Sequence, residues 1–453
     1  MSPMARHLVT ALILLGLTFT VTAQGIDDVP HVVIVSVDGL MPKTYATPGP
    51  LKIPVLRSLA AEGAWASGVV GVVPSVTYPS HTTMITGVAP RVHGIGGNRI
   101  LDPENLSNNA WYWFADAIRT PTLPGAVRSR GLRAGAVNWP VTIGMDLDYL
   151  VPEYTPWRHA TGLRLLDALT APSGVIQSAE AATGRTFSWP FTDRDRVDLA
   201  IHIMKTWRPH VLLLHVFETD SAAHLHGPDS PEALDAVERV DGYLGSLLDA
   251  ARAVIPASRL HFIVVSDHGF ARIERQLHPN AALKREGLID VDEEGRVTGW
   301  RAWFHSNGGS GFVYLQNPAD EVVRGRVDGV LRALASDPAN GIDQIWTAAD
   351  LATLGADSAA AFGIEMRPPF YTGMGHGELI TITVDRGGHG YAPTRPELHA
   401  SLIMSGPRVR GAGDLGVVRL TQLAPTIASW FEVGLSPHAD QPLTFDSAAT
   451  PSR

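Results

Sequence analysis

The chain has 453 residues, 45% hydrophobic and 18% charged, with 44 Gly and 33 Pro spread along it; core size is not limiting, and disordered, fibrous and staple-dependent classes are excluded. Its 36 Lys+Arg against 45 Asp+Glu leave a net charge of -9, which argues against the broad basic footprint of a nucleic-acid binder. With no Cys in the chain, disulfides, thiolate zinc sites and thiol nucleophiles are excluded as well.

Residues 1–23 read as a secretory signal: Arg6 and His7, an apolar run from Leu8 to Val21, then small residues up to Ala23. The run is shorter than the roughly 20 residues that cross hydrocarbon. The expectation is cleavage after Ala23 and a secreted or periplasmic protein with no membrane span after signal cleavage.

Three aliphatic runs follow, and each stops at a potential metal ligand. They are His31 to Gly39 with Asp38, Val211 to Asp220, and His261 to Gly269 with Asp267 and His268. Continuous apolar runs of this length read as strands of a parallel sheet buried on both faces. Between them, Ile53–Glu62, Asp195–Thr206 and Pro231–Val254 carry apolar residues at spacings of three and four, the helical period. The alternation predicts an α/β fold, an α/β/α sandwich with a mostly parallel central sheet, in which the carboxyl ends of the strands share one rim. Further on, Gly311–Leu315 and Gln344–Trp346 read as strands and Val322–Ala335 as an amphipathic helix. They are expected to continue the same sheet, giving one catalytic domain over residues 24–435 with surface insertions. Residues 436–453 lack periodicity and are expected to form a poorly ordered tail.

Asp220 and His224 are four apart, so a helical turn puts both on one side. Asp267 and His268 sit at a strand end before Gly269, and His389 lies in the glycine-rich turn Gly387-Gly388-His389-Gly390. Nitrogen and carboxylate donors without thiolate suit zinc first, with manganese or iron as alternatives. A hydroxyl beside such a centre becomes a competent nucleophile, and Thr77 in Pro74-Ser75-Val76-Thr77-Tyr78-Pro79 is the candidate. Thr82 and Thr83 are expected to serve as helix N-caps, and His81 to support the loop through a hydrogen bond behind it.

Taken together, Val37-Asp38-Gly39, Pro74 to Pro79, His93-Gly94-Ile95 with Asn98, Asp220 to His224, Ser266 to Gly269 and Gly388 to Tyr391 resemble the nucleotide pyrophosphatase/phosphodiesterase (type I phosphodiesterase) family of the alkaline phosphatase superfamily, in that family's order. The resemblance implies an alkaline-phosphatase-like fold and two zinc ions. It puts one on Asp220, His224 and His389, and the other on Asp38, Asp267 and His268, with Thr77 beside the second as nucleophile and as a further metal ligand. It further implies that Asn98 donates to a non-bridging phosphoryl oxygen and that Tyr78 stacks on a nucleobase. Trp111, Trp113 and Tyr154 are candidates for the same pocket. Ser80 departs from the family pattern, which usually has Asn there.

Monoesterases of the superfamily meet their extra phosphate charge with added cations. The segment Ala136 to Gly144, which includes Trp139-Pro140, offers none. A small phosphodiester or diphosphate of nucleotide-like form is therefore the expected substrate, hydrolysed through a Thr-phosphoryl intermediate, with no nucleic-acid polymer as partner. A phosphomonoesterase or phosphonate hydrolase using the same centre is the alternative, and a non-catalytic binding protein that inherited the fold is the third reading.

Overall fold

The computed structural model describes residues 29–107, 110–154 and 161–445. The expected signal segment 1–23 and the residues after 445 lie outside them. Eight strands make the central sheet: β1 (His31–Val37), β2 (Ala64–Trp65), β3 (Ala134–Val137), β4 (Tyr149–Val151), β5 (Val211–Val216), β6 (Leu260–Val265), β7 (Leu402–Ser405) and β8 (Gly413–Asp414), in the spatial order β8-β2-β7-β6-β1-β5-β3-β4. β7 runs antiparallel to β2 and β6, and the other pairings are parallel.

The three aliphatic runs are neighbours at the centre of this sheet. Val37 of β1 lies opposite Val216 of β5, and Ser36 lies opposite Val265 of β6. Seven helices matter for the site and its support: α1 (Pro54–Glu62), α2 (Thr77–Thr86), α3 (Leu123–Ser129), α4 (Asp193–Trp207), α5 (Glu218–His226), α6 (Pro231–Arg252) and α7 (Leu423–Trp430). Side chains alternate along β1, so Val33, Val35 and Val37 pack with α1, α4 and α6, while Val32 and Ile34 pack with α2, α3 and α7. Both faces are covered, which is why the strands carry no polar alternation. The start of α4 is fixed by a capping box, the Thr192 hydroxyl accepting from Asp195 N–H and the Asp195 carboxylate accepting from Thr192 N–H.

Residues 302–366 depart from expectation. Ala302–Ser306, Ser310–Leu315, Phe362–Met366 and Ile342–Thr347 form a separate four-stranded antiparallel sheet rather than an extension of the central one. The cause is local: Asn307-Gly308-Gly309 joins the first two strands, a three-residue connection that makes a hairpin, and Gly308 supplies φ +91. With helix Glu321–Ser336 this sheet encloses its own core of Phe304, Val313, Leu331 and Ile364.

The start of the expected tail is also anchored. Leu443 and Phe445 pack on the α7 side of the core, and the Asp440 carboxylate accepts from Arg419 Nε at 2.7 Å and from the Thr421 hydroxyl at 2.8 Å. Among the described residues no helix is long and apolar enough to cross a membrane.

Candidate metal centre and reaction cavity

Asp38 immediately follows β1, Asp267 and His268 follow β6, and α5, one residue after β5, carries Asp220 in its first turn and His224 one turn later. His389 arrives from the glycine-rich turn downstream. That turn needs glycine: Gly390 has φ +83, and a Cβ there would lie 1.7 Å from the Asn307 carbonyl oxygen.

Apart from Asp220, each of these side chains has one polar atom secured by the protein and another left over. The Nδ1–H groups of His224, His268 and His389 donate to the carbonyls of Gly387 (2.9 Å), Gly269 (3.1 Å) and Ser75 (3.2 Å), which leaves every Nε2 as the lone-pair donor. Asp267 Oδ1 accepts from Gly39 N–H at 3.2 Å and from its neighbour's N–H at 3.1 Å. Asp38 Oδ2 lies 3.1 Å from His215 Nε2. The remaining atoms meet. His268 Nε2 is 3.3 Å from Asp38 Oδ1 and 3.2 Å from Asp267 Oδ2, and Asp220 Oδ1 is 3.4 Å from His224 Nε2 and 3.8 Å from His389 Nε2. The imidazoles of His268 and His389 stack at 3.5 Å.

Asp38 Oδ1, Asp220 Oδ1, Asp267 Oδ2 and His268 Nε2 are all buried without a hydrogen-bond partner. Four orphaned acceptor atoms facing one another are costly in a protein interior. They fit divalent cations, and the all-nitrogen and oxygen donor set fits zinc. Burial, reinforced by Asp267 and Asp220, pushes the Asp38 carboxyl well above its usual range, the repulsion that a bound cation relieves.

Among the described residues, two groups have donor atoms within 4.8 Å of one another: Asp220, His224 and His389, and Asp38, Asp220 and His268. The first is the set expected for one ion. In the second, Asp220 stands where the sequence reading had Asp267. The reason is geometric, since Asp220 in the first turn of α5 lies between the two groups.

Thr77 opens α2, whose ten residues are all buried. It shares a cavity of about 400 Å³ with Asp38, Asp220, Tyr78, Trp111 and Trp113. The Tyr78 N–H donates to Asn98 Oδ1 at 2.8 Å, which assigns the other end of that amide, Nδ2, as a donor. The Thr82 and Thr83 hydroxyls do not cap this helix. They lie inside it and donate to the carbonyls of Tyr78 and Val88. His81 does sit behind the first turn, its Nδ1–H donating to the Thr77 carbonyl at 2.8 Å.

Tyr78 is only 1% exposed and packs against Trp111 at 5.2 Å. It forms a wall of the cavity and offers little free face for stacking. Trp111 and Trp113 line the cavity, whereas Tyr154 packs edge-on against Trp113 at 5.1 Å.

Three residues escaped the sequence reading. His215 backs Asp38, Glu153 lines the Thr77 cavity, and Arg99 lines a neighbouring cavity of about 370 Å³ together with Asn98, His224 and His389. The Arg99 guanidinium lies 5.5 Å from the ring centre of Trp111, which borders both cavities. His215 sits inside an aliphatic strand run and could have been noticed as its one polar interruption. Nothing local marks the other two.

A family model described as type I phosphodiesterase / nucleotide pyrophosphatase matches residues 32–353. Human ectonucleotide pyrophosphatase/phosphodiesterase family member 1 is 27% identical over 253 residues, covering 53% of this chain and 24% of that protein. Human family member 5 is 23% identical over 297 residues, 64% of this chain and 55% of that protein. The chain thus matches about a quarter of the length of the first and about half of the second. Among solved structures, human family member 5 has a TM-score of 0.65 at 18% identity, with 90% of this chain and 96% of that one covered. Murine family member 5 in complex with AMP also has a TM-score of 0.65, at 19% identity over the same shares. These likenesses show the fold.

Proposed function

Because the chain belongs to the type I phosphodiesterase / nucleotide pyrophosphatase family, we propose that it hydrolyses phosphodiester or diphosphate bonds of nucleotide-like small molecules through a Thr77-phosphoryl intermediate, beside two divalent metal ions. The observation that carries this reading is the placement of Thr77 in one cavity with Asp38 and Asp220, two of the side chains whose orphaned oxygens face each other.

Asp220, His224 and His389 would hold one ion, and Asp38, His268 and Asp267 the other, with Asp220 within reach of both. Bound there, the ions supply positive charge that favours an ionised hydroxyl and stabilises the attacking and leaving oxygens. The chain does the rest. The Thr77 oxygen attacks phosphorus as the bond to the leaving oxygen breaks. The Asn98 Nδ2–H, oriented through the Tyr78 amide, takes negative charge on a non-bridging oxygen. Thr77 occupies the N-terminal end of α2, where the helix dipole favours the phosphoryl group. Water then cleaves the Thr77 ester and returns the hydroxyl.

Arg99 is the observation that gives the phosphomonoesterase reading its weight. It puts a cation in the Asn98 cavity, where either the extra charge of a monoester or the second phosphate of a diphosphate would meet it. Turnover of bis-p-nitrophenyl phosphate and p-nitrophenyl phosphate, measured side by side on metal-loaded protein, separates the two. A strong preference for the monoester overturns the diester reading. If neither ester is hydrolysed and Thr77→Ala changes nothing, the non-catalytic binding reading stands instead. A secreted or periplasmic location belongs to the same proposal.

A further inference from the structure

The Thr77 cavity has a second feature that phosphoryl chemistry does not use. Beyond Thr77 its walls are aromatic, with Trp111, Trp113 and Phe217, and set into them is one carboxylate, Glu153. Burial pushes the Glu153 carboxyl up, and the nearby Arg196 charge and Tyr78 hydroxyl favour its ionised form. Its Oε2 is buried and has no hydrogen-bond partner. The cation nearest in effect, Arg196, favours the ionised carboxyl by its charge but is not paired with it: one guanidinium nitrogen bonds Asp193 at 2.6 Å, the group stacks over Phe217 at 4.0 Å, and its Nε is buried without a partner. An acceptor taken out of water with no donor is unfavourable until a donor arrives. In a cavity beside the reacting centre, the group able to bring that donor is the substrate.

Aromatic walls select a flat ring, and a carboxylate oxygen between them selects an N–H edge. Among nucleobase edges, guanine offers a ring N–H and an amino group side by side. Thymine offers a single N–H flanked by two carbonyls that a carboxylate repels. We propose that Glu153 is a specificity-determining residue of this cavity, accepting the N–H edge of a flat nitrogen heterocycle on the substrate's retained group, with guanine preferred over thymine. The proposal rests on the diester reading for its catalytic consequence, while the recognition itself is a property of the cavity.

Two measurements on metal-loaded protein test it, both above pH 7, because burial pushes the Glu153 carboxyl up to about 7. The first is kcat/KM for the p-nitrophenyl esters of guanosine, N1-methylguanosine and thymidine 5′-monophosphates, with donor-free bis-p-nitrophenyl phosphate as reference. The guanosine ester is expected to lead the other two by about tenfold or more, through KM. Glu153→Gln is expected to erase that lead while leaving the reference within about twofold. A merely structural Glu153 would lower all four substrates together. Equal kcat/KM for guanosine, N1-methylguanosine and thymidine esters in the unmodified chain overturns the inference without involving any variant.

The second measurement is equilibrium binding of GMP and TMP to the Thr77→Ala protein, which needs no turnover. Tighter GMP binding that vanishes on adding Glu153→Gln supports the inference, and equal binding overturns it. If no diester is hydrolysed, the function reading fails, and binding alone then decides on Glu153.

Discussion

Asp220 Oδ1 stands 3.4 Å from His224 Nε2 and 3.8 Å from His389 Nε2, and the same residue also groups with Asp38 and His268. On the proposed reading one carboxylate would serve both candidate ion positions, whereas His224 would serve one. Asp220→Asn is expected to cut bound metal at both positions, and His224→Ala at one. Metal content per chain, measured after gel filtration, checks this; equal stoichiometry in the two variants would sink the shared role of Asp220.

On the proposed mechanism Thr77 supplies the attacking oxygen and is one ligand among several of the second ion. Thr77→Ala should keep its metal and its melting temperature while losing about a thousandfold or more in kcat, and Thr77→Ser should recover part of that loss. Turnover of bis-p-nitrophenyl phosphate alongside metal content separates this outcome from general misfolding.

His215 lies behind Asp38, its Nε2 3.1 Å from Oδ2 and its side chain 1% exposed. On the proposed reading it would act through the carboxylate as a positioning residue. His215→Leu, close in volume, should weaken metal binding by about 10- to 100-fold, the usual effect of removing such a partner. Competition with a fluorescent zinc chelator reads this directly. Unchanged affinity would reduce His215 to packing.

Asp440 carries the acid-sensitive clasp. Its hydrogen bond from Arg419, aided by Thr421, holds the carboxyl at about 2, below the ordinary 3.8. A depressed carboxyl stabilises the folded arrangement fully above 3.8, and that contribution is lost as pH falls through about 2. Asp440→Asn should mimic the acid state at neutral pH, at a cost of about 1 kcal/mol or less for so exposed a pair. Phe445 lies 6.5 Å from Trp430 with the rings tilted, so tryptophan fluorescence should report release of residues 436–445, and an unaltered spectrum in the variant would refute the clasp.

The central sheet was legible because strands buried on both faces must be aliphatic throughout, and because each run broke at an acid: Asp38, Asp220 and Asp267. The helical spans were legible for the complementary reason, an apolar stripe of period 3.6. The sheet of residues 302–366 was not, since a short apolar run such as Gly311–Leu315 does not say which sheet it joins; the hairpin at Asn307-Gly308-Gly309 decided that. The anchoring of Asp440 depends on Arg419 and Thr421, about 20 residues away, and leaves no periodic trace. Glu153 and Arg99 escaped for a similar reason. Each is an ordinary charged residue in an aperiodic segment, and its meaning comes from the cavity that distant chain segments build around it.

His389 lies beyond the segment 32–353 that carries the family likeness, yet its imidazole stacks on His268 and joins Asp220 at the heart of the centre. While the protein is being synthesised, Asp38, Thr77, Asp220 and His268 all leave the ribosome before the imidazole that closes the cluster exists. A metal centre that needs this imidazole would therefore close only once synthesis has passed residue 389.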